Sequence, residues 1–347
     1  MSTVAAKDVA KEAKAVAKAA AKEAKAVAKE AKAATDEILL KKVQVTKEIT
    51  RPVIASDITF FSAKACRATN DAMNKNRERV LECSLNPEFT TDPEYGESWK
   101  RLSEVFNNFL KKLCDKPYTA ISMKRKGGRG CHYDADIIYS DESGNTVATE
   151  KLEFKYGAST IDNIPQFLSL QAHNQTVITG PSYDGYYYDN FIDKYIGTDD
   201  GITEEKPPRE QYLTLVRGTT YDVHPFFAQI KARENTNKAA KNKVVNDSIK
   251  AYLESHIHLV NIPSLIAKFR ESQNGKHFAL WFNSAFHYDR ITDAEMSDLQ
   301  DPVIRCNNTI VLRAGNVCIY KLLLRWRNHK GILNPAWQIS MKRCTAP

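Results

Sequence analysis

No stretch of this 347-residue chain approaches the run of about 18 apolar residues that a membrane-spanning helix needs. The N-terminus also lacks an apolar core of the kind that directs secretion. Both absences lead to the expectation of a protein that neither enters a membrane nor is secreted, and that works in a cytoplasmic setting. Paired cysteines are missing too. The seven cysteines, at 66, 83, 114, 131, 306, 318 and 344, include no Cys-x-x-Cys, and their number is odd and their spacing irregular. That pattern points to reduced thiols rather than a disulfide framework. His256 and His258 have the spacing of a metal pair, but no third ligand accompanies them, so packing is the expected role. What the chain does carry is an ordinary apolar share of 42% and a positive balance, with 50 Lys and Arg against 42 Asp and Glu. A net charge of +8 favours an anionic partner, and nucleic acid is the natural candidate.

Residues 1–35 stand apart. Ala10–Lys18 recurs at an offset of 11 residues as Ala21–Lys29, and positions 5–35 hold eight lysines against four acids. Alanine and lysine favour helix, but Val4, Val9, Val16 and Val27 are too few to bury a core face. A basic, frayed helical tail is expected, either attracting phosphate non-specifically or serving as a solubilising appendage. Residues 36–200 read as a helical lead-in followed by the chemistry-bearing strands. Residues 201–347 read as helix and strand that complete the fold and contact a partner. The lead-in includes a helix over 71–82. A second helical stripe, Trp99, Leu102, Val105, Phe106, Phe109, Leu110 and Leu113, lies within 98–113. Glu104 on that helix is a solvated or capping residue, or an extra acid for the site.

Beyond position 156, Pro165 suits the start of a helix over 166–171. The aromatic run Tyr183–Tyr188, with Phe191 and Tyr195, belongs either to the core or to a surface on which unpaired bases stack. Residues 196–210 have loop composition and offer either a boundary between two parts or an insertion within one domain. Residues 231–243 are basic and amide-rich, suited to phosphate contact or to a solvated helix entry. Strands are expected at 276–282, 309–313, 317–327 and 336–341. Arg325, Arg327, Asn328, His329 and Lys330 project from one strand end into a turn ending at Gly331, either a hairpin tip that enters a DNA groove or the charged surface tip of an ordinary sheet.

The chemistry concentrates in two short segments, His132–Tyr139 and Glu150–Tyr156. Both read as strands, in which residues i and i+2 share a face. Asp134 and Asp136 then share one face, with Ala135, Ile137 and Tyr139 opposite; Glu153 and Lys155 share another, with Phe154 opposite. The polar stretch 140–147, centred on Gly144 and Asn145, is a hairpin signal that sets the strands side by side. One surface thereby gathers two or three carboxylates and an ammonium. Mg²⁺ takes one or two carboxylates plus waters and phosphate oxygens. The ammonium of Lys155 can orient an attacking water or stabilise developing charge. Asp134, at the end of the Gly-rich basic turn, is the favoured partner of Glu153, with Asp136 as helper or rival.

The order Asp134 (or Asp136) followed by Glu153-Phe154-Lys155 resembles the PD-(D/E)xK nuclease superfamily, and within it the type II restriction endonucleases. The approach 124–134 and the stretch 153–160 add to the resemblance, which covers residues 122–175. No proline precedes Asp134, where many members have one. The resemblance implies an α/β fold with a restriction-endonuclease-like mixed central sheet flanked by helices and added C-terminal strands. It implies Mg²⁺ as cofactor, double-stranded DNA as partner, and a homodimer suited to a palindromic site. Asp134, Glu153 and Lys155 would be catalytic, with Asp134, Asp136 and Glu153 holding metal. Lys124, Arg125, Lys126, Arg129, Gln166, Arg325, Arg327 and Asn328 would contact DNA. The alternatives are a repair or junction-resolving nuclease of the same fold, and a non-enzymatic DNA-binding virion protein. The 1–35 segment is similar to Ala/Lys-rich repeats in proteins of large DNA viruses of algae, which would put the cytoplasmic setting in a host cell or a virion.

Overall fold

The computed structural model describes residues 51–63, 70–126, 131–218, 224–328 and 333–344. The expected N-terminal tail, Arg129, His329 and Lys330 lie outside them. The chain divides into two units, Met1–Leu110 and Lys111–Pro347. Among the described residues, no helix is long and apolar enough to cross a membrane.

The described residues of the first unit are mainly helical, as the lead-in predicts: α1 (Ile58–Ser62), α2 (Asn70–Ser84) and α3 (Gly96–Leu110). The stripe on α3 buries Trp99, Leu102, Phe106, Phe109 and Leu110. The helix stops at Leu110, short of the expected end at Leu113. Trp99 satisfies its indole N–H by donating to Ala55 O at 2.7 Å. Buried Arg77 donates to the carbonyls of Phe61 and Ala63 at the end of α1, so its charge meets carbonyl oxygens that have no partner within the helix.

The second unit is mixed α/β with two five-stranded sheets. The first sheet contains β1 (Ala120–Arg125), β2 (Ala135–Ser140), β3 (Thr146–Tyr156), β5 (Lys276–Phe282) and β6 (Ala285–Asp289), in the order β1-β2-β3-β5-β6. Strands β1, β2 and β3 form an antiparallel meander. Strand β5 runs parallel to β3, and β6 returns antiparallel. The hairpin expected at 140–147 joins β2 to β3. Asp141 accepts from the backbone N–H of Ser143 and of Asn145 at 2.9 Å each, and Gly144 supplies a φ of 80°. Glycine adopts that left-handed conformation without steric cost.

A parallel pair needs a long crossover, and here it holds most of the remaining structure. It comprises β4 (Leu168–Gln171), α4 (Tyr183–Asn190), α5 (Ile192–Ile196), α6 (Arg209–Val216), α7 (Pro225–Ala232), α8 (Lys238–His256) and α9 (Ile262–Gln273). Position 200 is therefore not a seam: β3 before it and β5 after it are neighbours in one sheet. The segment 166–171 is a strand rather than a helix. Leu168 and Leu170 alternate inward, and Leu168–Gln171 pairs antiparallel with β10 (Leu333–Arg343). Pro165 ends a turn and lends its carbonyl to Gln338 at 2.8 Å.

The second sheet runs β4-β10-β9-β8-β7, entirely antiparallel, with β7 (Leu299–Arg305), β8 (Thr309–Ala314) and β9 (Cys318–Asn328). Its inner face buries Ile310, Leu312, Tyr320, Leu322, Leu324 and Ile339 in one cluster with Leu265 and Phe269 of α9 and with Phe278 and Leu280 of β5. The aromatic run belongs to this core: Tyr183 and Tyr187 are fully buried, and Tyr183 OH meets Ser248 Oγ at 2.8 Å and accepts from Trp326 Nε1 at 3.1 Å. Part of the basic 231–243 stretch is also internal. Asp199 holds buried Lys241 at 2.7 Å and Arg233 at 2.5 Å, and these two cations keep its carboxyl well below the usual range. His256 packs on Tyr252 and bonds to that residue's carbonyl. At the end of β10, Arg343 clamps the two sheets by pairing with Asp289 of β6 at 2.9 Å and with Glu295 at 2.5 Å.

Candidate active site

Strand β2 buries Ala135, Ile137 and Tyr139 completely and turns Asp136 to the other face. Strand β3 buries Leu152 and Phe154 on that same apolar side. Alternation therefore brings Asp134, Asp136, Glu153 and Lys155 to one face, as the sequence pattern predicts. Ala135 pairs with Leu152, so Asp134 emerges one residue before the register begins, beside Glu153. Its N–H donates to Leu152 O at 2.8 Å, and its Oδ2 accepts from the Phe154 N–H at 2.8 Å. The side chain is thus fixed to the strand that carries its partner.

Glu153 is buried, 8% exposed. The Lys155 ammonium bonds to its Oε1, and the ammonium of Lys276 stands 3.7 Å from its Oε2. Lys276 opens β5 with its side chain 1% exposed, and it donates to the His132 carbonyl at 2.7 Å. Burial pulls the Lys276 ammonium below its ordinary pKa. Burial, with Lys268 and Lys276 nearby, also lowers His132. Burial pushes the Asp134 carboxyl up to about 6, and the negative charge of Glu153 adds to the rise; Lys155, the Phe154 N–H and Lys276 oppose it. The site therefore holds two carboxylates that repel each other in a partly desolvated place, an arrangement typical of functional sites.

Asp134, Glu153 and Lys155 line a cleft of about 250 Å³ together with His132, Gln166 and Ser169. Asp136 does not line it; its carboxylate pairs with Lys126 at 2.7 Å. Of the other residues expected at DNA, Lys124 and Arg125 are exposed on β1, and Gln166 is at the cleft. Arg325 and Arg327 are exposed on β9, and Asn328 ends that strand. Sequence reading missed Lys276. It saw 276–282 as a strand, but only the parallel pairing of β5 with β3 brings that lysine to Glu153. Lys276→Met leaves the His132 carbonyl and one side of Glu153 without their cation. We expect a loss of stability of about 1–3 kcal/mol in urea unfolding.

Among the described residues, no group of three or more His, Cys, Asp and Glu side chains is gathered to hold a metal ion. Mg²⁺ asks for less, one or two carboxylates with the remaining positions filled by water or phosphate. Asp134 and Glu153 meet that requirement. Burial, and after it the negative charge of Glu153, raises the Asp134 pKa, and a bound divalent cation would offset both. Comparison of the chain with protein-family models and with curated proteins finds no match.

Proposed function

We propose that this protein is a Mg²⁺-dependent endonuclease that hydrolyses phosphodiester bonds of double-stranded DNA, with a restriction-endonuclease-like fold. The observation that carries the reading is the convergence of Asp134, Glu153 and Lys155 in one cleft, on adjacent strands of a mixed sheet. Asp134 and Glu153 would hold the ion. When bound, Mg²⁺ acidifies a coordinated water and neutralises charge on the phosphoryl group. Lys155, against Glu153, holds the attacking water and stabilises the charge that develops in the transition state. Lys276 works from below, fixing Glu153 and the His132 carbonyl so that Asp134 leaves the strand at the right place. Asp136, engaged by Lys126, supports the approach to Asp134 rather than the ion.

Within this reading, type II restriction-like cleavage by a homodimer at a short site is the expected biology. The substrate separates it from the same chemistry in repair. Unmethylated linear phage DNA with Mg²⁺ is expected to give discrete fragments. Cutting confined to branched or damaged DNA would replace the restriction reading with junction resolution or repair. No cutting of any of these would leave a DNA-binding protein.

A further inference from the structure

The five strands of the second sheet contain seven Lys or Arg residues and one acid, Asp301, which lies at the register shift of β7. One of the cations, Arg343, is consumed by Asp289 and Glu295. The other six, Arg305, Arg313, Lys321, Arg325, Arg327 and Lys342, are all exposed. Alternation explains their common side. On β8 and β9 the residues between them, Ile310, Leu312, Tyr320, Leu322, Leu324 and Trp326, are buried. Those side chains fill the core, and the positions left over look outward.

We infer that this outer face is the surface on which the DNA duplex lies, leading its backbone into the cleft of Asp134 and Glu153. The inference rests on the nuclease reading and extends it to a part of the molecule remote in sequence from the motif. Continuity supports it. Ser169 of β4 lines the cleft, pairs with Gln338 of β10, and through it reaches Leu323 of β9, Thr309 of β8 and Arg305 of β7. The rows on either side of this one carry Arg325, opposite Ala336, and Lys321, opposite Ser340 and Val311. At about 4.8 Å between strands, the face is about 20 Å across. Charge complementarity selects the occupant: a duplex offers about one negative charge per 1.7 Å of its axis, and this face opposes it with six cations. The half-exposed amide and hydroxyl groups of Gln338, Ser169 and Ser340 lie between the cations and suit contacts to phosphate and sugar.

Binding of a fluorescent duplex, measured by anisotropy in EDTA across a salt series, tests the inference without cleavage. Each lost phosphate contact makes the slope of log K against log salt shallower by about 0.9. The Arg313→Ala/Lys321→Ala/Arg325→Ala protein should therefore lose about 2.7 from the wild-type slope, and Lys321→Gln alone about 0.9. A control with the same change in net charge, Lys194→Ala/Arg209→Ala/Lys250→Ala on the crossover helices α5, α6 and α8, all exposed, should keep the wild-type slope. An unchanged slope in the first set, or an equal fall in the control, would overturn the inference. The two proposals fail separately. Wild type that binds through this face yet never cuts in Mg²⁺ loses the nuclease reading alone. Wild type that cuts while the slope of the first set is unchanged loses the docking face alone.

Discussion

Replacing Lys155 with alanine is expected to slow DNA cleavage about 100- to 1000-fold, and replacing Glu153 at least as much, while duplex binding in EDTA stays close to wild type. The size for Lys155 follows from removing one preorganised donor aimed at developing charge, which typically costs that much in rate. Glu153 loses more than a ligand. Lys155 bonds to it and Lys276 stands 3.7 Å away, so alanine leaves two ammonium groups facing each other, one of them buried. Glu153→Gln keeps the shape and one acceptor oxygen and separates lost chemistry from lost packing. Single-turnover rates on a cleaved duplex, with melting curves of each variant alongside, give the comparison. Cleavage by Glu153→Gln within tenfold of wild type would remove Glu153 from the reaction.

The second large effect has opposite signs for activity and stability. Asp134→Asn should abolish cleavage and, without metal, make the protein more stable at neutral pH. The folded-state pKa of Asp134 is raised to about 6, so the folded protein holds this proton at a pH where the unfolded chain has released it. Stability therefore falls as pH rises from the ordinary carboxylate range through about 6, and the full penalty remains above that. Two pH units correspond to at most about 3 kcal/mol, and partial exposure brings this to about 1–2 kcal/mol. Asparagine keeps an oxygen for the Phe154 N–H and removes the charge. The variant should melt above wild type at pH 7.5, and the gap should close below about pH 4. If Asp134 and Glu153 hold Mg²⁺ as proposed, the ion should raise the melting temperature of wild type alone, because the variant lacks one of the two charged ligands. A variant less stable than wild type at pH 7.5 would show that the Asp134 charge supports the fold.

The gathering of charge that marks this site was legible beforehand because it is local; its burial was not. Asp134, Glu153 and Lys155 sit within 22 positions of one another, the turn between their strands is spelled out by Asp141, Gly144 and Asn145, and a period of two fixes which side chains share a face. Lys276 was hidden for the converse reason. It comes from the far end of a crossover, and nothing near it in sequence signals that β5 will pair with β3. The helix expected at 166–171 failed on a similar point: Pro165 fits a helix start, but the partner that makes Leu168–Gln171 a strand is β10, at the other end of the chain. The aromatic run could be read either way from sequence, and burial of Tyr183 and Tyr187 assigns those residues to the core. The basic face needed three-dimensional placement as well, since its cations are spread over β7 to β10 and become one surface only when the strands are ordered.

The central claim is that the Asp134–Glu153–Lys155 cleft hydrolyses phosphodiester bonds with a divalent cation. Its most direct test is the rate at which purified wild type cuts unmethylated duplex DNA in Mg²⁺, beside EDTA and beside Glu153→Gln in Mg²⁺. The account predicts cleavage in the first sample alone. Equal cleavage in all three, or cleavage unaffected by the substitution, would contradict it.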